Sequence, residues 1–341
     1  MSMNSVERVS EYMDLEEEPA SIIPGSGSPP SWPHSGDIQI KHLSMRYSPD
    51  TPEVLKDVSL HIKAGEKVGI VGRTGSGKST LAISLFRFME PTQGSICIDG
   101  IDISTIGLLD LRSNLTIIPQ DPILFKGTLR FNLDPFGERK DEELWQALRQ
   151  SHLIPESVFP ENASSSTAAS HPAVVPVEQE AEASADDAAK VKKDGTDAAS
   201  ENEIVDPTKI TLDTPVKENG SNFSQGQRQL IALARALVRR SKIIIMDEAT
   251  ASVDFETDLK IQKTIREEMA DSTIVTIAHR IRTIADFDRV VVMQQGEIVE
   301  YDRPWVLMNQ EQSQFRQLCE QSTELDALLA IAEAAEQTRM R

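Results

Sequence analysis

Apolar positions along this chain fall in short runs bounded by charged or turn-forming residues. Val68-Gly69-Ile70-Val71 is continuous, the pattern of a strand buried on both faces, and Thr80-Leu81-Ala82-Ile83-Ser84-Leu85-Phe86 after it has helical spacing. Ile243 to Met246 and Thr273 to Ala278 repeat the buried-strand pattern. Before the first of these, Leu230, Ile231, Leu233, Ala234, Leu237 and Val238 give a helix one apolar face. Asp37 to Ile62 predicts an antiparallel β piece, and Val290 to Glu300 a hairpin turning at Gly296. Gln310 to Gln337 is rich in Ala, Leu and Glu and predicts helix; its pattern leaves open whether that helix packs on the core or extends as a tail.

Composition changes this picture in two places. Glu16-Glu17-Glu18-Pro19-Ala20 and the Pro/Ser/Gly-rich stretch from Pro24 to Pro33 predict a linker over residues 1–36. From about residue 155 to 207 the chain turns to Ala, Ser, Asp, Glu and Pro, with 12 acidic and 3 basic residues. Such a segment buries too little apolar surface to offset its ordering entropy and is expected to be a disordered, solvated insertion. The expected organisation is therefore linker 1–36, one domain at 37–320 interrupted by that insertion, and a helical tail at 321–341. A net charge of −19 over 341 residues excludes a nucleic-acid backbone as the natural partner. Two cysteines, Cys97 and Cys319, give neither a disulfide framework nor a metal cluster. No apolar run approaches the roughly 20 residues of a membrane helix, so the chain is expected to be soluble and cytosolic, with no direct membrane insertion.

The chemistry lies at the ends of the buried runs. Gly72-Arg73-Thr74-Gly75-Ser76-Gly77-Lys78-Ser79 matches G-x-x-x-x-G-K-S between a strand and a helix, which is the setting of a phosphate-binding loop. Its glycines let successive N–H groups face a phosphate, and the helix N-terminus adds positive potential. Lys78 is placed for the β/γ-phosphates and Ser79 for Mg²⁺. Asp247 and Glu248 end the Ile243 run, where α/β sheets hold their ligands; Asp247 suits Mg²⁺ and Glu248 suits activation of a water. Ser224 and Gln227 have the spacing of a capping box at the start of the amphipathic helix.

Asn222-Phe223-Ser224-Gln225-Gly226-Gln227, lying between the P-loop and the Asp-Glu pair, resembles the signature motif of ATP-binding cassette (ABC) proteins, commonly Leu-Ser-Gly-Gly-Gln, with Phe223 and Gln225 as departures. The resemblance implies an α/β fold: a P-loop NTPase core, an antiparallel β subdomain, and a helical subdomain from about Pro122 to Arg240 carrying the signature. It also implies further roles. Tyr47 would stack on adenine, Gln120 would sense Mg²⁺ and link to a membrane domain, Asp254 would lie in the D-loop, and His279 would contact the γ-phosphate. ATP and Mg²⁺ are the implied ligands, held by Tyr47, Gly72, Thr74, Gly75, Ser76, Gly77, Lys78, Ser79 and Thr80, and, across a dimer, by a partner's counterparts of Ser224, Gln225, Gly226 and Gln227. The metal set is Ser79, Gln120 and Asp247; the catalytic set is Glu248, His279 and Gln120.

The wording around Arg130-Phe131-Asn132-Leu133-Asp134-Pro135 is similar to the C subfamily of multidrug-resistance-associated and fungal vacuolar conjugate transporters, and to its second nucleotide-binding domain. Ser5 to Tyr12 resembles the segment joining the last transmembrane helix to that domain, so a larger transporter is expected. Its partners would be the first nucleotide-binding domain and a transmembrane domain, and its place the cytoplasmic face of a vacuolar or plasma membrane. Two other readings stay open at this point: a nucleotide-gated dimerisation module with little turnover, and a solitary soluble ABC ATPase.

Overall fold

The structure is a computed structural model that describes residues 7, 8, 10, 12, 13, 17–25, 28, 29, 31–155, 204–247, 253–278, 280–322 and 324–339. Most of the acidic insertion, residues 156–203, lies outside the described residues, as do Glu248 and His279.

Among the described residues, twelve strands carry the fold: β1 (Ile38–Met45), β2 (Leu55–Ile62), β3 (Lys67–Gly72), β4 (Gln93–Ile98), β5 (Ile101–Asp102), β6 (Leu115–Ile118), β7 (Gly127–Thr128), β8 (Pro215–Val216), β9 (Ile243–Asp247), β10 (Thr273–Ile277), β11 (Arg289–Gln294) and β12 (Glu297–Asp302). The main sheet has the order β12-β11-β3-β10-β9-β6, parallel from β11 to β6 with β12 antiparallel at one edge. A second sheet, β2-β1-β4-β5, is wholly antiparallel. This is the expected pairing of an α/β core with an antiparallel subdomain.

The continuous apolar runs are explained by what covers each face. Along β9, Ile243 and Ile245 enter the core shared with the antiparallel sheet, whereas Ile244 and Met246 enter the core of the helical subdomain. Alternation with period two therefore puts every residue of the run inside, one set per layer. The helical core is built around the signature helix, Gln225–Arg239, which buries Leu230, Ile231, Leu233, Ala234 and Val238. On the same face of the main sheet, over β3 and β11, the C-terminal helices Gln314–Gln321 and Leu325–Arg339 pack. Phe315, Cys319, Leu328 and Ala332 share a core with Val71, Val290 and Val292. The question left open by the pattern of Gln310 to Gln337 is thus answered: its described helices dock.

The predicted hairpin forms from β11 and β12, with Gln295 (φ 51°) and Gly296 (φ 89°) as a two-residue turn of the kind whose twist suits antiparallel strands. Its tip braces the P-loop, since Gly296 N–H donates to the Ser76 carbonyl (3.1 Å). A Cβ on Gly296 would sit 2.4 Å from the Val54 carbonyl oxygen, so only glycine fits.

The stretch expected to be linker is held to the domain over much of its described length. Trp32 is buried and its indole N–H donates to the Ile98 carbonyl (3.0 Å). The backbone N–H groups of Ser35, Gly36 and Asp37 converge on the Asp99 carboxylate at 2.8 to 3.0 Å, joined by the Ser35 hydroxyl. Further upstream, the carbonyls of Ala20 and Ser21 accept the N–H groups of Leu108 and Leu109, and Glu18 takes both arms of Arg112 (2.9 and 3.1 Å). Arg112 donates onward to the carbonyls of Phe86 and Arg87, just past the P-loop helix Lys78–Ser84. Its own peptide carbonyl and that of Ser113 accept Arg239, at the end of the signature helix.

Candidate functional site

Four neighbouring parallel strands end at one level, and each hands over to a candidate residue. Ile70 in β3 pairs with Ile277 in β10, Ile277 with Asp247 in β9, and Met246 with Ile118 in β6. The P-loop follows β3 and Gln120 follows β6; Asp247 closes β9, and Ala278 follows β10. Backbone hydrogen bonds between strands thus set the relative height of these groups, at the carboxyl edge where such sheets hold ligands. Glu248 and His279 adjoin Asp247 and Ala278 in the chain but lie outside the described residues.

The P-loop has the local geometry its sequence requires. Gly77 caps the helix Lys78–Ser84 with φ 98°, a left-handed conformation, and a Cβ there would meet Leu55 at 2.9 Å. At Gly72 a Cβ would lie 2.3 Å from the Met293 carbonyl oxygen, whereas the space beside Gly75 is open. The Lys78 ammonium curls over the loop and donates to the carbonyls of Gly72 (3.0 Å) and Arg73 (3.1 Å). The Ser76 hydroxyl is buried and makes no hydrogen bond among the described residues. An open concave loop, a lysine over it and a buried hydroxyl with capacity to spare together fit a polyphosphate.

Above the loop is a cleft of about 420 Å³ lined by Tyr47, Val54, Thr74, Gly75, Gly77, Lys78, Ser79 and Thr80. Tyr47, which follows β1, exposes 59% of its surface, and its hydroxyl lies 3.0 Å from the Thr80 hydroxyl. The ring is thereby anchored at its polar end with a face left for a planar ligand. Ser79 is exposed at the helix start and Asp247 is half-buried at its strand end. Both supply hard oxygen donors, the type Mg²⁺ takes.

The signature turn lies elsewhere: none of Ser224, Gln225, Gly226 or Gln227 lines that cleft. The predicted capping box is present, with Ser224 Oγ accepting from Gln227 N–H (3.1 Å) and Gln227 Oε1 from Ser224 N–H (2.8 Å). The Gln227 amide also donates to the Val205 carbonyl (2.8 Å), so both ends of this side chain are used within the chain. Phe223, where leucine is common, fills an apolar core position.

Several residues that organise the site were not singled out from the sequence. Gln229 donates from the signature helix to the carbonyls of Gln120 and Pro119. Arg235 is largely buried and donates to Ile123 and Asn132 carbonyls and to the Asn132 side chain. Burial pulls the Arg235 guanidinium down to about 10, which still leaves it charged at neutral pH. A polar residue on the apolar face of an amphipathic helix is the only local sign such residues offer.

A P-loop at the edge of a parallel sheet, an antiparallel subdomain carrying Tyr47, and a separate capped signature helix define an ABC-type ATPase cassette. The ABC transporter family profile matches residues 55–251. The chain belongs to the ABC transporter family. It is 47% identical over 338 residues to the ATP-dependent bile acid permease of Saccharomyces cerevisiae, covering 98% of this chain and 18% of that protein. To the oligomycin resistance ATP-dependent permease YOR1 of the same yeast it is 47% identical over 321 residues, 94% of this chain and 20% of that protein. To the ABC transporter C family MRP4 of Zea mays it is 46% identical over 314 residues, 92% and 18% respectively. The chain spans about a fifth of the length of these relatives. Among solved structures, a bacterial Atm1-family ABC exporter with ATP bound superposes with a TM-score of 0.69 at 26% identity, over 94% of this chain and 47% of that one.

Proposed function

We propose that this chain is the second nucleotide-binding domain of a C-subfamily exporter and that it hydrolyses ATP at a site shared with the first domain. The observation that carries this reading is the separation, on one chain, of the P-loop cleft from the signature turn. Each is half of a site, and a partner cassette supplies the complement of both.

At the P-loop half, the backbone N–H groups and Lys78 hold the β- and γ-phosphates, and Tyr47 stacks on the base. Ser79 and Asp247 are the donors for Mg²⁺, with Gln120 reaching it from the end of β6; the ion neutralises phosphate charge. Glu248 takes the proton of the attacking water, and His279 donates to the γ-phosphate. The partner's signature helix closes the site with its positive end toward that phosphate. Reciprocally, Ser224 to Gln227 of this chain cap the ATP on the partner, with Ser224 and the helix N-terminus contributing most, because the Gln227 side chain is turned inward.

Exposed apolar side chains next to Gln120, at Ile123, Phe125, Phe131 and Phe136, offer a surface for the transmembrane domain. No helix among the described residues is long and apolar enough to cross a membrane. In this reading the cassette sits at the cytoplasmic face of a vacuolar or plasma membrane and powers export of organic anions or conjugates. Glu248→Gln tests it: ATP binding is kept while hydrolysis falls by about two to four orders of magnitude, as for loss of a general base. Unchanged turnover would remove Glu248 from the catalytic role and the reading with it.

A further inference from the structure

Two glutamines one turn apart on the signature helix reach different residues of one three-residue stretch beyond β6. Gln225 donates from Nε2 to Asp121 Oδ1 (3.2 Å), and Gln229 to the carbonyls of Pro119 (3.3 Å) and Gln120. The two contacts differ in setting. Gln229 is buried, whereas Asp121 is exposed and Gln225 only half-buried. A solvent-facing contact of that kind adds little to folding stability, but it links the helix's first turn to the segment after β6.

The opposite side of that turn is closed. A Cβ on Gly226 would lie 3.1 Å from Thr257 Oγ1 and 3.5 Å from Asp254 Oδ2, and Thr257 Oγ1 is itself fixed to Asp254 (2.7 Å). The turn carrying Ser224 therefore sits between two stops. One, at Asp254 and Thr257, crowds any side chain larger than glycine's; the other, at Asp121, accepts a side chain. This explains which glycine of the common signature pattern is replaced in this chain.

We infer that Gln225 is a positioning residue that ties Ser224 to the segment carrying Gln120. The inference rests on the shared-site reading above. Gln120 serves the ATP on this chain's own P-loop, and Ser224 serves the ATP on the partner. With Gln229 as the permanent anchor and Gln225–Asp121 as the contact that can open, a shift of Gln120 rotates the cap offered to the other site. One side-chain bond thereby passes the state of one ATP to its neighbour.

The test is a double-mutant cycle in the intact transporter in proteoliposomes: Asp121→Ala, Gln225→Ala and both together, read as turnover against ATP concentration. Each single change lowers kcat about three- to tenfold, the scale of one lost hydrogen bond, and brings the Hill coefficient toward one. The double variant falls no further than the singles. Asp121→Asn, which keeps an acceptor, retains turnover, and so does Gln225→Glu combined with Asp121→Asn, which reverses donor and acceptor. Additive losses, or an unchanged Hill coefficient in Asp121→Ala, overturn the inference. Glu248→Gln in the same vesicles separates the two readings: if it stalls turnover while the cycle is additive, the coupling alone fails; if it turns over normally, the shared-site reading fails.

Discussion

Replacing Asp99 with asparagine should cost this domain much more than a surface charge is worth, and only above a definite pH. The Asp99 side chain is fully shielded from solvent, and burial by itself would raise its pKa. The Ser35 hydroxyl and the N–H groups of Ser35, Asp37 and Gly36 outweigh that effect and hold the carboxyl down at about 2. Against an ordinary carboxyl near 3.9, this displacement corresponds to about 2.5 kcal/mol of folding stability at neutral pH. Asparagine is the right probe because Asp99 has φ 48°, a conformation asparagine tolerates and alanine does not. The assay is equilibrium unfolding in urea, followed by tryptophan fluorescence, to which buried Trp32 beside the clamp contributes.

Because the folded carboxyl is depressed, its contribution is complete above about pH 4 and is lost as pH falls toward about 2. Wild type and Asp99→Asn should therefore differ by about 2–3 kcal/mol at neutral pH and converge across that acid window. A neutral-pH difference below about 1 kcal/mol would show that the convergent N–H groups do not hold the charge. A difference that persists undiminished near pH 2 would assign the effect to packing rather than ionisation.

Three further outcomes follow from the site and core. Gly77→Ala, which combines φ 98° with a Cβ 2.9 Å from Leu55, should weaken ATP binding by more than about tenfold in a nucleotide-binding titration, while Gly75→Ala, which shares the left-handed backbone (φ 79°) but adds no clash, should do less. Tyr47→Phe should change the ATP KM by less than about threefold because it forfeits only the Thr80 contact, whereas Tyr47→Ala should raise it about tenfold if the ring carries the base. Cys319 is fully buried, and burial, aided by Glu320, pushes its thiol up to about 12; at neutral pH a thiol-specific reagent should label it only on unfolding, and rapid labelling mapped to Cys319, rather than to half-buried Cys97, in the native protein would contradict the docked C-terminal helices.

The parts of this fold that were legible in the sequence are those written locally. Gly72 to Ser79, the Ser224–Gln227 box and the Gln295-Gly296 turn each carry their pattern within a few residues, so spacing alone exposes them, although Met293, Leu55 and Val54 are what crowd Gly72, Gly77 and Gly296. The buried runs at β3, β9 and β10 were legible because no charged residue interrupts them. What escaped depends on partners far along the chain. The stretch from Pro24 to Pro33 has a linker's composition, yet its own Trp32 is held to Ile98, 66 residues away, and just beyond it Ser35 is held to Asp99, 64 away. Gln229 meets Gln120 across 109 residues, a separation no periodicity reports. Gln227 shows a different limit: its motif position was legible, but the inward turn of its amide toward Val205 was not.

Arg112 gives the molecule a natural reporter of its own state. Its side chain joins Glu18 to the chain leaving the P-loop helix, and its carbonyl, with that of Ser113, receives Arg239 from the signature helix. If the signature helix swings relative to the P-loop, these bonds must break or the segment around Ala20 to Ile22 must travel with it. Ile22 is 62% exposed, so a dye placed there would be readily accessible. Its signal would follow nucleotide-driven motion without touching any residue that binds ATP.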